Sequence, residues 1–327
     1  MTLKDINKQR TAIMGVAAIL VMMVHLWVSA EPLWSENIRR FCQNGVDIFL
    51  LLSGIGCYYS MSKRTISDFY KRRVLRILPV YFTVSILYGA FQCYAWDITI
   101  WDYFCNNSLL SFFVLGVVKG WFIGAILVLY SITPLLYKLL QKNKAIYWTI
   151  FAAIIIISSQ LYFYSIGDTL STINELFFTR IPIYMLGLMA GDYIQQHEDK
   201  EIKFSLSFIF ISIGVLTLFF LNSWFNPVNK MGMTHYISIL LAPILVIWLA
   251  KLFHRFECPV LKKIGSISLE TYLVNEKITF ILVVLMPITD YYLVNLFGFI
   301  LTIIVGLGLH QIFNFNERED KRYGTIS

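Results

Sequence analysis

The stretch from Gly45 to Tyr81, GVDIFLLLSGIGCYYSMSKRTISDFYKRRVLRILPVY, decides how the chain is built. One acid, Asp47, stands at the mouth of an apolar segment. Six basic residues follow (Lys63, Arg64, Lys71, Arg72, Arg73 and Arg76), and Pro79 restarts the apolar pattern. The pattern predicts a membrane hairpin whose connecting loop carries a concentrated basic patch. Such a patch anchors to lipid headgroups or binds a soluble anion.

The rest of the chain fits that hairpin. Of its 327 residues 57% are hydrophobic and 14% charged, against about 25% charged in soluble domains. Mean hydropathy is +0.66. The composition predicts an integral membrane protein. A formal charge of +7 does not point to nucleic acid, because the basic residues sit in short connections between apolar runs. Ten such runs occur, at 11–30, 45–61, 77–95, 120–140, 146–164, 176–194, 204–222, 235–253, 267–287 and 291–312. Each approaches the ~20 residues that a span needs. Barrel alternation is absent, so the spans must be helices. The expected fold is an all-α, polytopic membrane bundle of about ten transmembrane helices, forming a single domain over residues 1–327.

Orientation follows from lysine and arginine. With the N-terminus inside, Arg39, Arg40, Lys119, Arg180 and Lys230 fall outside and Lys277 lies within the ninth run; the remaining basic residues are inside. Both termini are therefore expected in the cytoplasm of a multi-pass plasma or inner membrane protein. The first run lacks a small-x-small cleavage site, so no cleavable signal peptide is expected. Cys42, Cys57, Cys93, Cys105 and Cys258 show no CxxC spacing, and no metal site is expected. Cys42, Cys93 and Cys105 could supply one outer disulfide or act as small apolar side chains. Gly120-x-x-x-Gly124 and Gly187-x-x-x-Gly191 suit close helix contacts or are ordinary membrane glycines.

Ionisable groups inside a span are functional candidates. His25 and Asp47 fall at similar depth on two antiparallel helices. A carboxylate beside an imidazole fixes its tautomer and raises its basicity; the same pair could simply close the hairpin. Arg73 and Arg76 share a face if their helix begins before Pro79. Guanidinium forks fit a phosphate, and the same residues serve as a topology signal. Arg180 with Pro182, and Glu270, Asn275, Glu276 and Lys277, are the other polar intrusions. Trp121 is an interfacial anchor or a cavity wall.

These stretches resemble the integral-membrane acyltransferase family 3, which O-acylates cell-surface polysaccharides and related glycans. MGVAAILVMMVHLW looks like the family's first helix, ending in its histidine, here His25. GVDIFLLLSG is similar to the second-span signature, with Asp47 and Ser53. FYKRRVLRILPVYF is similar to the basic segment with Arg73-x-x-Arg76. GWFIGAILVLYSITPLL matches the span that starts at Trp121. FFTRIPIYMLGLMAG resembles the Arg-x-Pro segment, with Arg180, Pro182 and Gly187. IGSISLETYLVNE resembles the penultimate-span motif, with Ser268 and Tyr272. Six motifs stand in the family's order. Two positions depart from it. Met14 stands where the family commonly has an arginine, with Arg10 nearest, and Asn275 stands where a histidine is frequent.

The resemblance implies a cytosolic acyl-CoA donor, most often acetyl-CoA, with no metal. It implies a hydroxyl acceptor on a cell-surface glycan. Arg72, Arg73, Arg76 and Arg10 would take the donor's phosphates. His25 would deprotonate the acceptor, oriented by Asp47, or form a transient acyl-histidine. Ser53, Trp121, Arg180, Tyr272, Asn275 and Glu276 would line the cavity. Acceptor specificity is expected in the outer loops 31–44, 96–119, 165–175 and 223–234, which carry Trp34, Trp96, Trp101, Trp224 and Phe225. A transporter or flippase is the alternative from another class, and a catalytically silent envelope-assembly partner a third. A homo-oligomer is compatible with all three.

Overall fold

The computed structural model describes residues 1–26, 33–118, 120–164, 168–225, 232–285 and 291–313. Among these the chain is helical, apart from one isolated bridge between Thr2 and Glu201. The longer helices are α1 (Arg10–Val24), α2 (Asn44–Lys63), α3 (Ile66–Trp96), α4 (Trp121–Lys142), α5 (Lys144–Tyr164), α6 (Ile181–Gln196), α7 (Leu206–Phe225), α8 (Gly232–Arg255), α9 (Ser268–Leu285) and α10 (Tyr291–Ile312). Each overlaps one of the apolar runs. Seven stretches, those holding α2, α3, α4, α5, α7, α8 and α10, are long and apolar enough to cross a membrane. The protein is a multi-pass membrane protein. The other three helices fall short for physical reasons: α1 has 15 residues, α6 has 16, and α9 carries Glu270, Glu276 and Lys277. Residues 27–30 of the first expected run lie outside the described ones.

The expected basic loop is corrected. Thr65 caps a helix, its hydroxyl accepting from the Asp68 amide at 3.2 Å and donating to the Asp68 carboxylate at 2.7 Å. An N-cap of this type satisfies a backbone donor that would otherwise be orphaned. Helix α3 therefore starts at Ile66, ahead of the basic residues, and runs through Pro79. Lys71, Arg72, Arg73 and Arg76 are helical, and only Arg64 and Thr65 separate α2 from α3. Arg73 and Arg76 thus lie three apart on one face, as the spacing requires.

Helix α2 is central and packs on α1, α4, α6 and α8. Its closest partner is α6. A Cβ on Gly54 would strike the Tyr184 carbonyl and Gly187, and one on Gly187 would strike the Leu51 carbonyl. Gly191 is pressed against Tyr58. The Gly187-x-x-x-Gly191 pair therefore serves backbone contact. The Gly120-x-x-x-Gly124 pair does not act as a unit. Gly120 adopts φ +69° with open space where a Cβ would point, and only Gly124 packs, against the Leu109 carbonyl.

Beyond that contact, Asp192 ties four helices together. It accepts from Tyr58 Oη at 2.7 Å, Gln141 Nε2 at 3.3 Å, Lys144 Nζ at 2.7 Å and Gln196 Nε2 at 2.7 Å. Four donors on one buried carboxylate offset its loss of water. All five cysteines are free, so the outer disulfide is not formed.

Gly187→Leu should separate α2 from α6 and lower stability by about 1–3 kcal/mol or more. A thermal melt in detergent, read against Gly214→Leu, where a Cβ has open space, should show a lower midpoint for the first variant alone.

Candidate active site

Three cavities follow one another through the bundle. A basic mouth, lined by Gly56, Tyr59, Lys63, Arg64, Arg72, Arg73 and Arg76, opens at the junction of α2 and α3. Arg73 and Arg76 also line a second cavity of about 300 Å³, together with Arg10, Met14, Ser53, Tyr130, Ser268 and Tyr272. Tyr272 in turn lines a third cavity, of about 240 Å³, with His25, Gln43, Trp121, Arg180, Glu276 and Lys277. The second and third cavities therefore share a wall at Tyr272. Its ring packs on Phe122, with centroids 5.1 Å apart.

The second cavity is cationic without a matching acid. Arg73 is held over Tyr130, its guanidinium carbon 4.9 Å from the ring centroid, and over Phe69 at 5.5 Å. Tyr130 is fixed by Ser53, Oη to Oγ 2.8 Å. Arg10 fills the space that Gly56 leaves by lacking a side chain. Its guanidinium repels that of Arg73. Among the described residues, neither Arg10 nor Arg73 has a carboxylate partner. Two like charges so placed favour an anionic ligand. Met14 also lines this cavity. Arg10, one turn earlier, thus brings a guanidinium to the same cavity.

Arg76 differs. Glu270, fully buried, meets Arg76 Nη1 at 2.7 Å and Nη2 at 2.9 Å, and His310 Nδ1 lies 3.1 Å from it. The charge of Arg76 is compensated by Glu270, while its side chain borders both the mouth and the second cavity. Arg72 borders the mouth only.

The third cavity holds His25 at the end of α1. Residue 25 caps that helix, its amide bonded to the Met22 carbonyl at 3.2 Å. The expected His25–Asp47 pair is not made. Asp47 is fully buried and accepts from Arg180 Nε at 3.0 Å. The carboxylate acting on the imidazole is that of Glu276, from α9, which shares its cavity. The difference is one of register. Asp47 meets the buried guanidinium that precedes α6, whereas Glu276 lines the cavity that His25 borders.

Trp121 is a cavity wall, with the Arg180 guanidinium 5.3 Å above its ring. Asn275 lines none of these cavities. It faces α10, accepting from Thr302 Oγ1 at 3.4 Å. Sequence reasoning missed Tyr130, Phe122 and Gly56. Gly56 sits in the quoted second-span segment, but the need for its bare backbone appears only once Arg10 is placed against it.

The arrangement puts a cationic entrance and a half-buried imidazole two cavities apart in one bundle. The model of a family described as an acyltransferase domain, acyltransferase family 3, matches residues 12–311. The chain belongs to this family, and it is an acyltransferase. No curated protein and no solved structure matches it.

Glu270→Gln removes the charge that holds Arg76 and should cost about 3–5 kcal/mol, as breaking a buried pair does. Thermal unfolding should show the loss; an unchanged midpoint would mean the pair is not structural.

Proposed function

We propose that the protein moves an acyl group, most simply acetyl, from cytosolic acyl-CoA to a hydroxyl of a cell-surface glycan. In this reading it sits in the plasma or inner membrane with about ten spans and both termini inside. The observation that carries the reading is the shared wall at Tyr272. On one side lie two arginines without an acid; on the other lies a histidine beside a carboxylate.

Arg10 and Arg73 bind the donor's phosphates, with Arg72 and Arg64 at the mouth attracting them. His25 lies 15 residues beyond Arg10 along α1, roughly 22 Å at the rise of a helix. An extended pantetheine arm bridges such a distance, passing Tyr272. His25 accepts the proton of the attacking hydroxyl, and Glu276 rather than Asp47 supports the imidazolium. Trp121 and Tyr272 exclude water around the thioester.

His25→Ala should fold and insert normally yet lose about 10²-fold or more of the transfer rate, the usual contribution of a general base. Mass spectrometry of surface glycans from cells carrying wild type or His25→Ala tests this directly. O-acylation that persists with the variant would sink the proposal.

Arg73→Ala should weaken acyl-CoA binding by about tenfold, the worth of one charge-assisted contact. Titration calorimetry with the purified protein reads it. An unchanged affinity would make the arginine a topology signal.

A further inference from the structure

Arg180 is held more rigidly than a cavity wall requires. It closes a short 3-10 turn, Phe178–Arg180, directly before α6. Its Nε donates to Asp47 Oδ1 at 3.0 Å and its Nη1 to the Leu176 carbonyl at 3.1 Å. The Trp121 ring lies under the guanidinium plane. Both partners of the ion pair are almost wholly buried. These contacts engage two of the three guanidinium nitrogens. The third, Nη2, makes no hydrogen bond among the described residues, and Arg180 borders the cavity that holds His25. Lys277, the other cation of that cavity, lies with its Nζ 5.6 Å from the Tyr88 ring centroid.

We infer that Arg180 is the donor that stabilises the developing oxyanion, and that Asp47 is its positioning residue. The inference rests on the acyl-transfer reading above. The acceptor oxygen attacks the thioester carbonyl carbon while His25 takes the hydroxyl proton. The carbonyl π pair moves onto oxygen, and Arg180 Nη2–H donates to it. When the tetrahedral centre collapses, the C–S bond breaks and the proton on His25 passes to the departing thiolate. A guanidinium fixed on two sides needs no reorganisation as the charge appears, which is where such donors gain their effect. This also gives Asp47 a task without contact to the imidazole: it aims Arg180.

The test uses acetonyl-CoA, a ketone analogue that cannot transfer its group, carrying ¹³C at the carbonyl. Infrared difference spectra of the bound analogue should show the carbonyl stretch at lower frequency in wild type than in Arg180→Gln. That variant leaves Asp47 buried without its partner and can fail to fold. The double variant Asp47→Asn/Arg180→Gln removes both charges and serves in its place. Affinity for the analogue should change by less than about threefold while the transfer rate falls about 10²–10³-fold, the range for losing one such donor. Asp47→Asn alone should weaken the carbonyl shift and lower kcat with little change in KM. An identical carbonyl frequency in wild type and in the Arg180 variants, with binding intact, overturns this inference alone. Failure of wild type to bind the analogue overturns the acyl-CoA reading and the inference with it.

Discussion

A charge inside an apolar bundle costs several kcal/mol unless a partner or a ligand meets it, and that constraint orders the interior of this protein. Asp47 is met by Arg180, Glu270 by Arg76 and His310, and Asp192 by Lys144 with three neutral donors. Each pair joins separate helical elements, so each also fixes how the bundle is assembled. After these pairings, Arg10, Arg73 and Glu276 have no ion-pair partner among the described residues. All three border cavities. The electrostatic remainder of the fold coincides with its cavities, which is expected where ligands complete the charge balance.

The same constraint explains which helices fall short of a full span. α1, α6 and α9 are short or charged, and they carry or adjoin His25, Arg180 and Glu276. α6 can be short because α2 covers it through glycine contacts along its length. By contrast α5, α7 and α10 present large exposed apolar side chains such as Ile156, Phe210, Leu218 and Ile304. Apolarity is kept where side chains face outward, and chemistry is carried by helices that face one another.

Much of this was legible in the sequence. Ten apolar runs located ten helices, because hydrophobic length is a local property. The motif residues led to His25, Arg73, Trp121, Arg180 and Tyr272, all of which border the cavities. What failed was pairing. Asp47 was matched with His25 from depth alone, but depth leaves the rotation of a helix free, and Asp47 turns toward α6 instead. The Arg76–Glu270 pair was not foreseen, because its two members stand 194 residues apart. The expected loop 62–76 proved helical apart from Arg64 and Thr65, because the capping signal Thr65-x-x-Asp68 outweighs a run of cations. Asn275 sits among cavity residues in sequence but one helical step away from them in space.

The distance between the two ends of the site has a consequence for how an acyltransferase of this build can work. The unpaired arginines lie near the start of α1 and the imidazole at its end, so under the proposed reading the groups that bind the donor's phosphates never touch the reacting atoms. Contacts made equally in ground and transition states lower KM without raising kcat. Under the proposed reading, binding at Arg10 and Arg73 therefore acts by delivery: it places the thioester beyond Tyr272 and orders it there, converting a bimolecular encounter into a positioned one. The rate itself must come from what stands on the far side of that ring. Among the described residues lining that cavity, only His25, Glu276, Lys277 and Arg180 carry ionisable polar chemistry apart from Tyr272 and the Tyr81 phenol, and the latter is already bonded to the Asn107 carbonyl at 2.7 Å. A base and its carboxylate account for the proton; the negative charge on oxygen still needs a fixed donor, and the arginine that Asp47 holds borders that cavity and is anchored on two sides.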